Sequence, residues 1–203
     1  FMAEDEEFVR SIEKAGLRFM GPCSYTVQAA GFKDEAKRTA ELVDVSVTPG
    51  VNDATGRLIL RKHSDLKALQ KLAKKHDLDV PELSESGVDL ATAADALLAA
   101  SYDAGIDLYT VDELCEQIQI EVGTILKEFS GNRIRLKAFG GGGGKGQRIV
   151  SKAEEAPAMV REILGEVKAL GVGDNKNILV ELNIETTRHN EIQLIGNGEW
   201  SVS

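Results

Sequence analysis

Apolar and polar residues follow helical and strand spacing in turn near the N terminus, and helical spacing alone further on. The first part predicts helices at 4–15 and 34–42 and short strands at 17–20 and 45–47. Between 58 and 105 the strand spacing is lost and apolar residues fall on helical stripes, with Ser64 and Asp89 as predicted N-caps. This middle stretch is therefore predicted to contain helices only.

From Thr110 onward, both spacings occur in a regular order. Thr110 and Glu113 form a predicted capping box, which begins a helix ending near Phe129. The elements expected after it are strands at 134–138 and 148–150, a helix at 151–170 opened by a capping box, and strands at 178–182 and 189–195. An Asn197–Gly198 turn predicts a hairpin after the last strand. This order predicts an α+β fold.

A glycine-rich loop separates the first two of these strands. It has five consecutive glycines, residues 140–144, followed by Lys145 and Gly146. Glycine amides can approach an anion closely, and successive N–H groups form a concave site for phosphate oxygens. Lys137 and Lys145 add positive charge at the two ends. The loop is interpreted as a flap over the phosphates of a nucleotide; the alternative is a flexible linker.

Two known phosphate-binding patterns do not describe this loop. The P-loop pattern requires Gly and Ser or Thr at positions that hold Phe139 and Gly146. The dinucleotide pattern fits Gly141, Gly143 and Gly146, but it must open a helix, and here a strand is predicted to follow. A glycine loop between two strands is instead typical of a lid laid over a triphosphate.

Composition limits the classes of partner. The chain has 203 residues, 42% of them hydrophobic and 28% charged, and a net charge of −9. That charge argues against nucleic acid as the main partner, because phosphate backbones need a basic face. No apolar run reaches the ~18 residues of a membrane helix, and no signal peptide is recognised, so no membrane association and a cytoplasmic location are expected.

Five short motifs occur together in the order found in one enzyme family. They are Phe19-Met20-Gly21-Pro22, Gly31-Phe32-Lys33 with Ala36-Lys37, Val47-x-Pro49-Gly50, the glycine loop with its flanking lysines, and Arg188-His189-x-Glu191-Ile192-Gln193. Together they resemble the ATP-grasp domain of biotin carboxylases, over residues 1–57 and 110–203. In that family, aspartate stands at the position of Phe32 and lysine at the position of Leu182.

The resemblance implies roles for particular residues, and all of them are in nucleotide binding. Lysines that correspond to Lys33 and Lys137 contact ATP phosphates. The residues implied to fold over the triphosphate are Gly142, Gly143, Gly144 and Lys145, and those implied to lie at the adenine are Glu181, Leu182 and Ile184. His189 matches a histidine beside the nucleotide, with a purely structural histidine as the alternative. No catalytic residue is expected within the chain.

The resemblance also implies a division of the chain. Residues 1–57 would lead into the ATP-grasp domain, and 110–203 would form its lid subdomain, truncated at the C-terminal end. The interval between Lys33 and Lys137 is longer than in the family, so 58–109 is interpreted as a helical insertion that serves as a spacer or an interaction surface. The expected fold is thus an ATP-grasp B-type subdomain, with a glycine-rich β-lid and helices, plus this insertion. Both ends look cut, so the chain is expected to be a fragment of a larger ATP-grasp fold.

The implied activity belongs to a longer parent enzyme. It would use ATP and bicarbonate to carboxylate biotin on a carrier domain, working with a carboxyltransferase, and a homo-oligomer is expected. Magnesium ligands are expected outside this chain, and the segment alone is not expected to carboxylate biotin. Two alternatives stay open. One is another ATP-grasp ligase, such as a carbamoyl-phosphate synthetase, and the other is a non-catalytic docking domain with a degenerate nucleotide site.

Overall fold

The computed structural model describes residues 2, 5–31, 33–139, 146–170, 175–188, 190, 192–197 and 199–202, without the side chains of 30, 31, 33–35, 38 and 170. In chain order the elements are α1 (Glu6–Lys14), α2 (Ser24–Gly31), α3 (Lys33–Leu42), β1 (Gly50–Val51), α4 (Ala54–Lys62), α5 (Leu66–Lys75), α6 (Leu90–Asp103), α7 (Val111–Glu128), β2 (Arg133–Ala138), β3 (Gln147–Val150), α8 (Ala156–Leu170), β4 (Ile178–Asn183), β5 (Ile195–Gly196) and β6 (Ser201–Val202). Short 3-10 turns lie at Pro81–Ser84 and Ala153–Glu155.

A four-stranded antiparallel sheet stands at the centre of the fold, in the order β1-β4-β2-β3. The strands on either side of the glycine loop, β2 and β3, pair directly, with Ile134 opposite Val150 and Lys137 opposite Gln147. The prediction of a strand, a glycine loop and a returning strand is therefore confirmed. A separate hairpin pairs β5 with β6 around Asn197, as the turn predicted.

One face of the sheet forms the hydrophobic core with the helices. Alternate residues of β2 and β4 point to this face because side chains alternate along a strand. Helices α4, α5, α6, α7 and α8 supply most of the rest of the core. The fully buried members include Leu58, Leu69, Leu97, Leu114, Ile118, Ile134, Leu136, Ile163 and Ile178. The helical stretch at 58–109 thus shares one core with the sheet, and α4 runs across the position at which that stretch was predicted to begin.

Three predicted strands are wrong. Residues 17–20 form no strand, and Leu17 and Met20 are exposed to solvent. Residues 45–47 are irregular, and the strand lies instead at Gly50–Val51. Of the described residues in 189–195, only Ile195 is in a strand. Alternation of apolar residues shows which side of a strand could be buried, but it does not supply a neighbouring strand, and an unpaired strand leaves its backbone groups without partners.

Several predicted helix starts are shifted by a residue. Asp65, not Ser64, caps α5, because its carboxylate accepts a hydrogen bond from the Ala68 amide at 2.9 Å. Asp89 caps α6 as predicted. Before α8, the Glu155 carboxylate accepts from the Ser151 amide at 2.7 Å, one residue later than the predicted capping box. None of the described helices has the length and apolar character needed to cross a membrane.

The capping box of α7 gives a direct stability prediction. The Thr110 hydroxyl accepts from the Glu113 amide at 3.2 Å, and the Glu113 carboxylate accepts from the Thr110 amide at 2.7 Å. Thr110→Ala is expected to lower the free energy of unfolding by about 1 kcal/mol, because it leaves a helix N–H group without its partner. Urea denaturation measures this loss. Thr124→Ala is the control: that hydroxyl bonds only to a carbonyl within the helix, and we expect little change.

Candidate functional site

The face of the sheet opposite the core carries polar side chains. Register places Arg135 opposite Glu181, and Arg133 opposite Asn183, on neighbouring strands. Since side chains two residues apart share a face, Arg135 and Lys137 of β2 lie on the same side as Glu181 and Asn183 of β4. Gln147 of β3, opposite Lys137, completes this set. We call the side chains of Arg135, Lys137, Glu181, Asn183 and Gln147 the polar face.

Two lysines converge on Glu181 at the polar face. The Lys37 Nζ, from α3, lies 2.5 Å from Glu181 Oε1, and the Lys137 Nζ pairs with the other carboxylate oxygen, Oε2. The Glu181 side chain is only 6% exposed, against 14% for Lys37 and 23% for Lys137. Lys37 also donates to the Thr48 carbonyl at 3.3 Å. We call these three side chains the lysine–glutamate cluster.

The protonation state of Glu181 is decided by two opposing effects. Burial raises the pKa of its carboxyl group, whereas hydrogen bonds and charges from Lys137 and Lys37 lower it by more, so the pKa lies below its ordinary value. Glu181 is therefore ionised at neutral pH. The cluster then holds two cations and one anion, with a surplus of positive charge.

Arg135 extends this positive charge along the polar face. Its Nη2 and Nε donate to Asn183 Oδ1 at 2.8 and 3.1 Å, and its Nη1 donates to Gln147 Oε1 at 3.2 Å. Both partners are neutral amides, and among the described residues Arg135 makes no ion pair. The polar face is thus positively charged in a chain whose net charge is −9, which makes it suited to an anion.

Both ends of the glycine loop are fixed next to this face. Where the loop leaves β2, the Phe139 amide donates to the Asn177 carbonyl at 3.0 Å, and the Ala138 amide donates to the Gly146 carbonyl at 2.9 Å. Where the loop returns, the Gly146 amide donates to Glu166 Oε2 of α8 at 3.1 Å. Lys137, two residues before Phe139, therefore lies beside the base of the loop.

The predicted site residues fall into two groups. Lys137 and Glu181 meet in the lysine–glutamate cluster, and Leu182 and Ile184 follow along the same chain segment. Leu182 is buried in the core and its amide donates to the Pro49 carbonyl at 2.9 Å, whereas half of Ile184 is exposed. Five predictions lie outside what the structure describes: Gly142, Gly143, Gly144, Lys145 and His189. For Lys33, the helical backbone is described but the side chain is not.

Lys37 is the residue that the sequence interpretation missed. It was noticed as part of a motif but was not proposed as a site residue. A signal was present: Lys37 follows Lys33 by four positions, and residues at that spacing share a helix face. What the sequence did not contain is the ion pair of Lys37 with Glu181, which joins α3 to β4 in the folded chain.

A protein-family model matches residues 111–201, the part that contains α7, both sides of the glycine loop, α8 and β4. It is described as the carbamoyl-phosphate synthase L chain, ATP binding domain. Residues 111–201 are therefore similar to this family of ATP-binding domains. The matched segment includes Lys137 and Glu181, while Lys37 comes from the helices that precede it.

Curated relatives of the whole chain are carboxylases. The chain is 24% identical to the mitochondrial propionyl-CoA carboxylase alpha chain of Caenorhabditis briggsae, over 98% of its own length and 19% of that protein. It is 24% identical to pyruvate carboxylase of Aspergillus niger, over 100% and 12%. It is 25% identical to the 2-oxoglutarate carboxylase small subunit of Hydrogenobacter thermophilus, over 97% and 28%. The chain thus spans less than a third of the length of each of these relatives.

Solved structures show the same fold. The biotin carboxylase domain dimer of Hydrogenobacter thermophilus 2-oxoglutarate carboxylase, in complex with MgADP, ADP and bicarbonate, superposes with a TM-score of 0.50 at 24% identity. Biotin carboxylase of Campylobacter jejuni, in a β,γ-ATP complex, gives 0.50 at 18% identity. Each match covers 91% of this chain and 27% of the other. The α+β, ATP-grasp fold predicted from the sequence is therefore confirmed, with the chain matching a part of a larger domain.

Proposed function

We propose that this chain is the ATP-binding part of a biotin carboxylase-type ligase, which uses ATP and bicarbonate to carboxylate biotin. The observation that carries the proposal is the lysine–glutamate cluster beside the base of the glycine loop. Two ammonium groups held by one buried carboxylate form a compact positive site, next to a loop whose composition suits phosphate. The similarity to carboxylases along the whole chain supports the same function.

The cluster explains how the chain would bind a triphosphate. Lysine side chains are long and flexible, and holding two of them in one place costs conformational entropy. Glu181 orients both ammonium groups through contacts within the chain, so part of that cost is met during folding. Phosphate oxygens would then approach ammonium groups that are already positioned. Catalysis of phosphoryl transfer relies on such positioning and charge neutralisation.

The other proposed nucleotide contacts come from the resemblance. We propose that Lys33 joins Lys137 at the phosphates, that Gly142, Gly143, Gly144 and Lys145 close over them, and that His189 lies beside the nucleotide. Glu181, Leu182 and Ile184 would meet the adenine through backbone groups. The Leu182 amide already donates to Pro49 and its side chain lies in the core, so the groups left for adenine there are the Leu182 carbonyl and the Ile184 backbone.

The remaining parts of the reaction are assigned to the parent enzyme. Among the described residues, no cluster of three or more histidine, cysteine or acidic side chains suits a metal ion, so no step through magnesium is assigned to this chain. Biotin on a carrier domain, bicarbonate, a carboxyltransferase and a homo-oligomeric assembly are proposed as substrates and partners of the parent. We also propose a cytoplasmic location, and the helical insertion at 58–109 as a spacer or interaction surface.

Lys137→Met tests the nucleotide site. We expect the Kd for ATP to rise by about 10- to 30-fold, because one ammonium group that neutralises phosphate charge is replaced by an apolar chain of similar length. Isothermal titration calorimetry with the purified chain measures the affinity. Circular dichroism checks that the variant is folded.

The matched control is Lys127→Met. Lys127 is an exposed lysine in the last turn of α7, on the helix side of the sheet, and its replacement is expected to leave the Kd for ATP unchanged. If both variants bind ATP equally more weakly than wild type, the effect comes from the net charge of the chain and not from a contact of Lys137 with the nucleotide. Equally weak ATP binding by wild type and Lys137→Met would reject the nucleotide site and favour a non-catalytic docking domain.

A further inference from the structure

A cavity lies away from the polar face, between α8 and the turn that joins α6 to α7. Its volume is about 640 Å³, within the range of small-molecule pockets. Apolar side chains from both sides line its floor: Tyr102, Ile106, Val111, Leu164 and Val167. The Tyr102 hydroxyl is bonded to the Tyr109 hydroxyl at 2.8 Å, so Tyr102 offers mainly its ring. None of the lining residues belongs to the polar face.

The rim of this cavity is cationic. Arg161 and Lys168 project from α8, and Lys176 lies just before β4. Arg161 pairs with Asp112 at 2.8 Å, and Lys176 pairs with Asp107. Lys168 makes no ion pair within the part of the chain that the structure describes. Among the described residues, the rim therefore carries one positive charge, that of Lys168, without an acidic partner.

A glycine lines the cavity on the α8 side. Gly165 lies between Leu164 and Glu166, in a helix interior where glycine is unfavourable by about 0.5–1 kcal/mol relative to alanine. A Cβ built at Gly165 meets no atom within 4 Å. No close neighbour requires a glycine there, so a larger side chain can be introduced in the wall of the cavity without a clash.

We propose that this cavity binds a small organic anion with an apolar body, such as an aromatic carboxylate. The apolar floor would take the ring out of water, which is the main source of affinity for such ligands. The carboxylate would remain at the rim beside Lys168, in a charge-assisted contact. Inorganic phosphate lacks the apolar body, and a neutral aromatic alcohol lacks the charge, so both should bind more weakly.

Calorimetric titration of 1-naphthoate into the full chain tests this proposal. Wild type is expected to bind it at a single saturable site. Gly165→Leu is expected to raise the Kd by about tenfold or more, because it adds a bulky side chain to the cavity wall, and Lys168→Gln by about threefold to tenfold. Gly165→Ala, which leaves most of the space free, and Lys127→Gln, which removes an exposed charge elsewhere, are expected to stay within about twofold.

The outcomes distinguish binding in this cavity from nonspecific binding and from binding at the nucleotide site. Unfolding curves confirm that each variant is folded, and the exposed Lys168→Gln gives a result even where Gly165→Leu does not fold. Absence of saturable 1-naphthoate binding in wild type overturns the proposal. So does binding that both Gly165→Leu and Lys168→Gln leave unchanged, or equal affinity for naphthalene-1-methanol. Retained 1-naphthoate binding by Lys137→Met shows a site independent of the proposed ATP site.

Discussion

Replacing Glu181 by glutamine is expected to lower the free energy of unfolding at neutral pH by about 2–4 kcal/mol. The side chain is almost fully buried and is the shared partner of Lys37 and Lys137. Glutamine keeps the shape and one acceptor oxygen, but two ammonium groups then face each other without the charge that balanced them. Removing one partner of a buried ion pair is costly because the remaining charge is left poorly compensated.

The effect of Glu181→Gln on the free energy of unfolding is also expected to depend on pH. The pKa of Glu181 is lower in the folded chain than its ordinary value of 4.5, so the unfolded chain binds the proton more tightly. Its stabilising contribution is therefore fully present above about pH 4.5 and is lost as the pH falls through the folded pKa. The difference in unfolding free energy between wild type and Glu181→Gln should shrink on acidification. Urea titrations from neutral pH down to about pH 3 measure it.

Glu185→Gln is the control for this prediction. Hydrogen bonds from Arg133 and Asn183 lower the pKa of the Glu185 carboxyl to about 2, yet its side chain is 41% exposed and the ion pair with Arg133 lies at the surface. Solvent screens such a pair, so the substitution is expected to change stability little. If both variants lose the same stability, or if Glu181→Gln loses none, burial of the cluster does not have the energetic role assigned to it.

The contrast between Lys137 and Lys37 shows how far the sequence alone could go. Lys137 was predicted because local signals agree around it: alternation in β2, a glycine run after it, and a returning strand. Lys37 reaches Glu181 only in the folded chain, through an ion pair between segments far apart in sequence. A tertiary contact of this kind produces no periodic pattern in the sequence, so Lys37, the third member of the cluster, was missed.

The errors have a related cause. The segment Leu17-Arg18-Phe19-Met20 is mostly apolar, as short strands often are, but Leu17 and Met20 remain exposed and the segment forms no strand. The short strand β1, by contrast, contains a glycine, a residue that normally weakens a strand. It exists because β4 offers it a partner. Whether an extended segment becomes a strand is thus decided by its neighbour in space, whereas the helix caps at Asp89 and Thr110 are local and were predicted correctly.

Gly50→Ala is expected to lower the free energy of unfolding by about 3 kcal/mol, although it adds only one methyl group. Gly50 lies opposite Glu181 in the pairing of β1 with β4. A Cβ at this position would be 2.2 Å from the Val180 carbonyl oxygen and 2.9 Å from the Glu181 Cα. Both atoms belong to the backbone of β4, which is held between β1 and β2 and has no room to recede. Urea denaturation measures the loss.

Because β4 is held in place, β1 must move, and the consequence reaches the cluster. The hydrogen bond from the Leu182 amide to the Pro49 carbonyl, 2.9 Å long, would be strained or broken, and so would the Lys37 contact to the Thr48 carbonyl. We therefore expect Gly50→Ala to weaken ATP binding as well as stability.

Gly123→Ala is the control, since its Cβ would meet only Ala153 at 3.6 Å, and it should stabilise α7 by about 0.5–1 kcal/mol. Unchanged stability in Gly50→Ala would mean that β1 does not need the close approach to β4. A stability loss with unchanged ATP affinity would mean that the position of β1 does not affect the lysine–glutamate cluster.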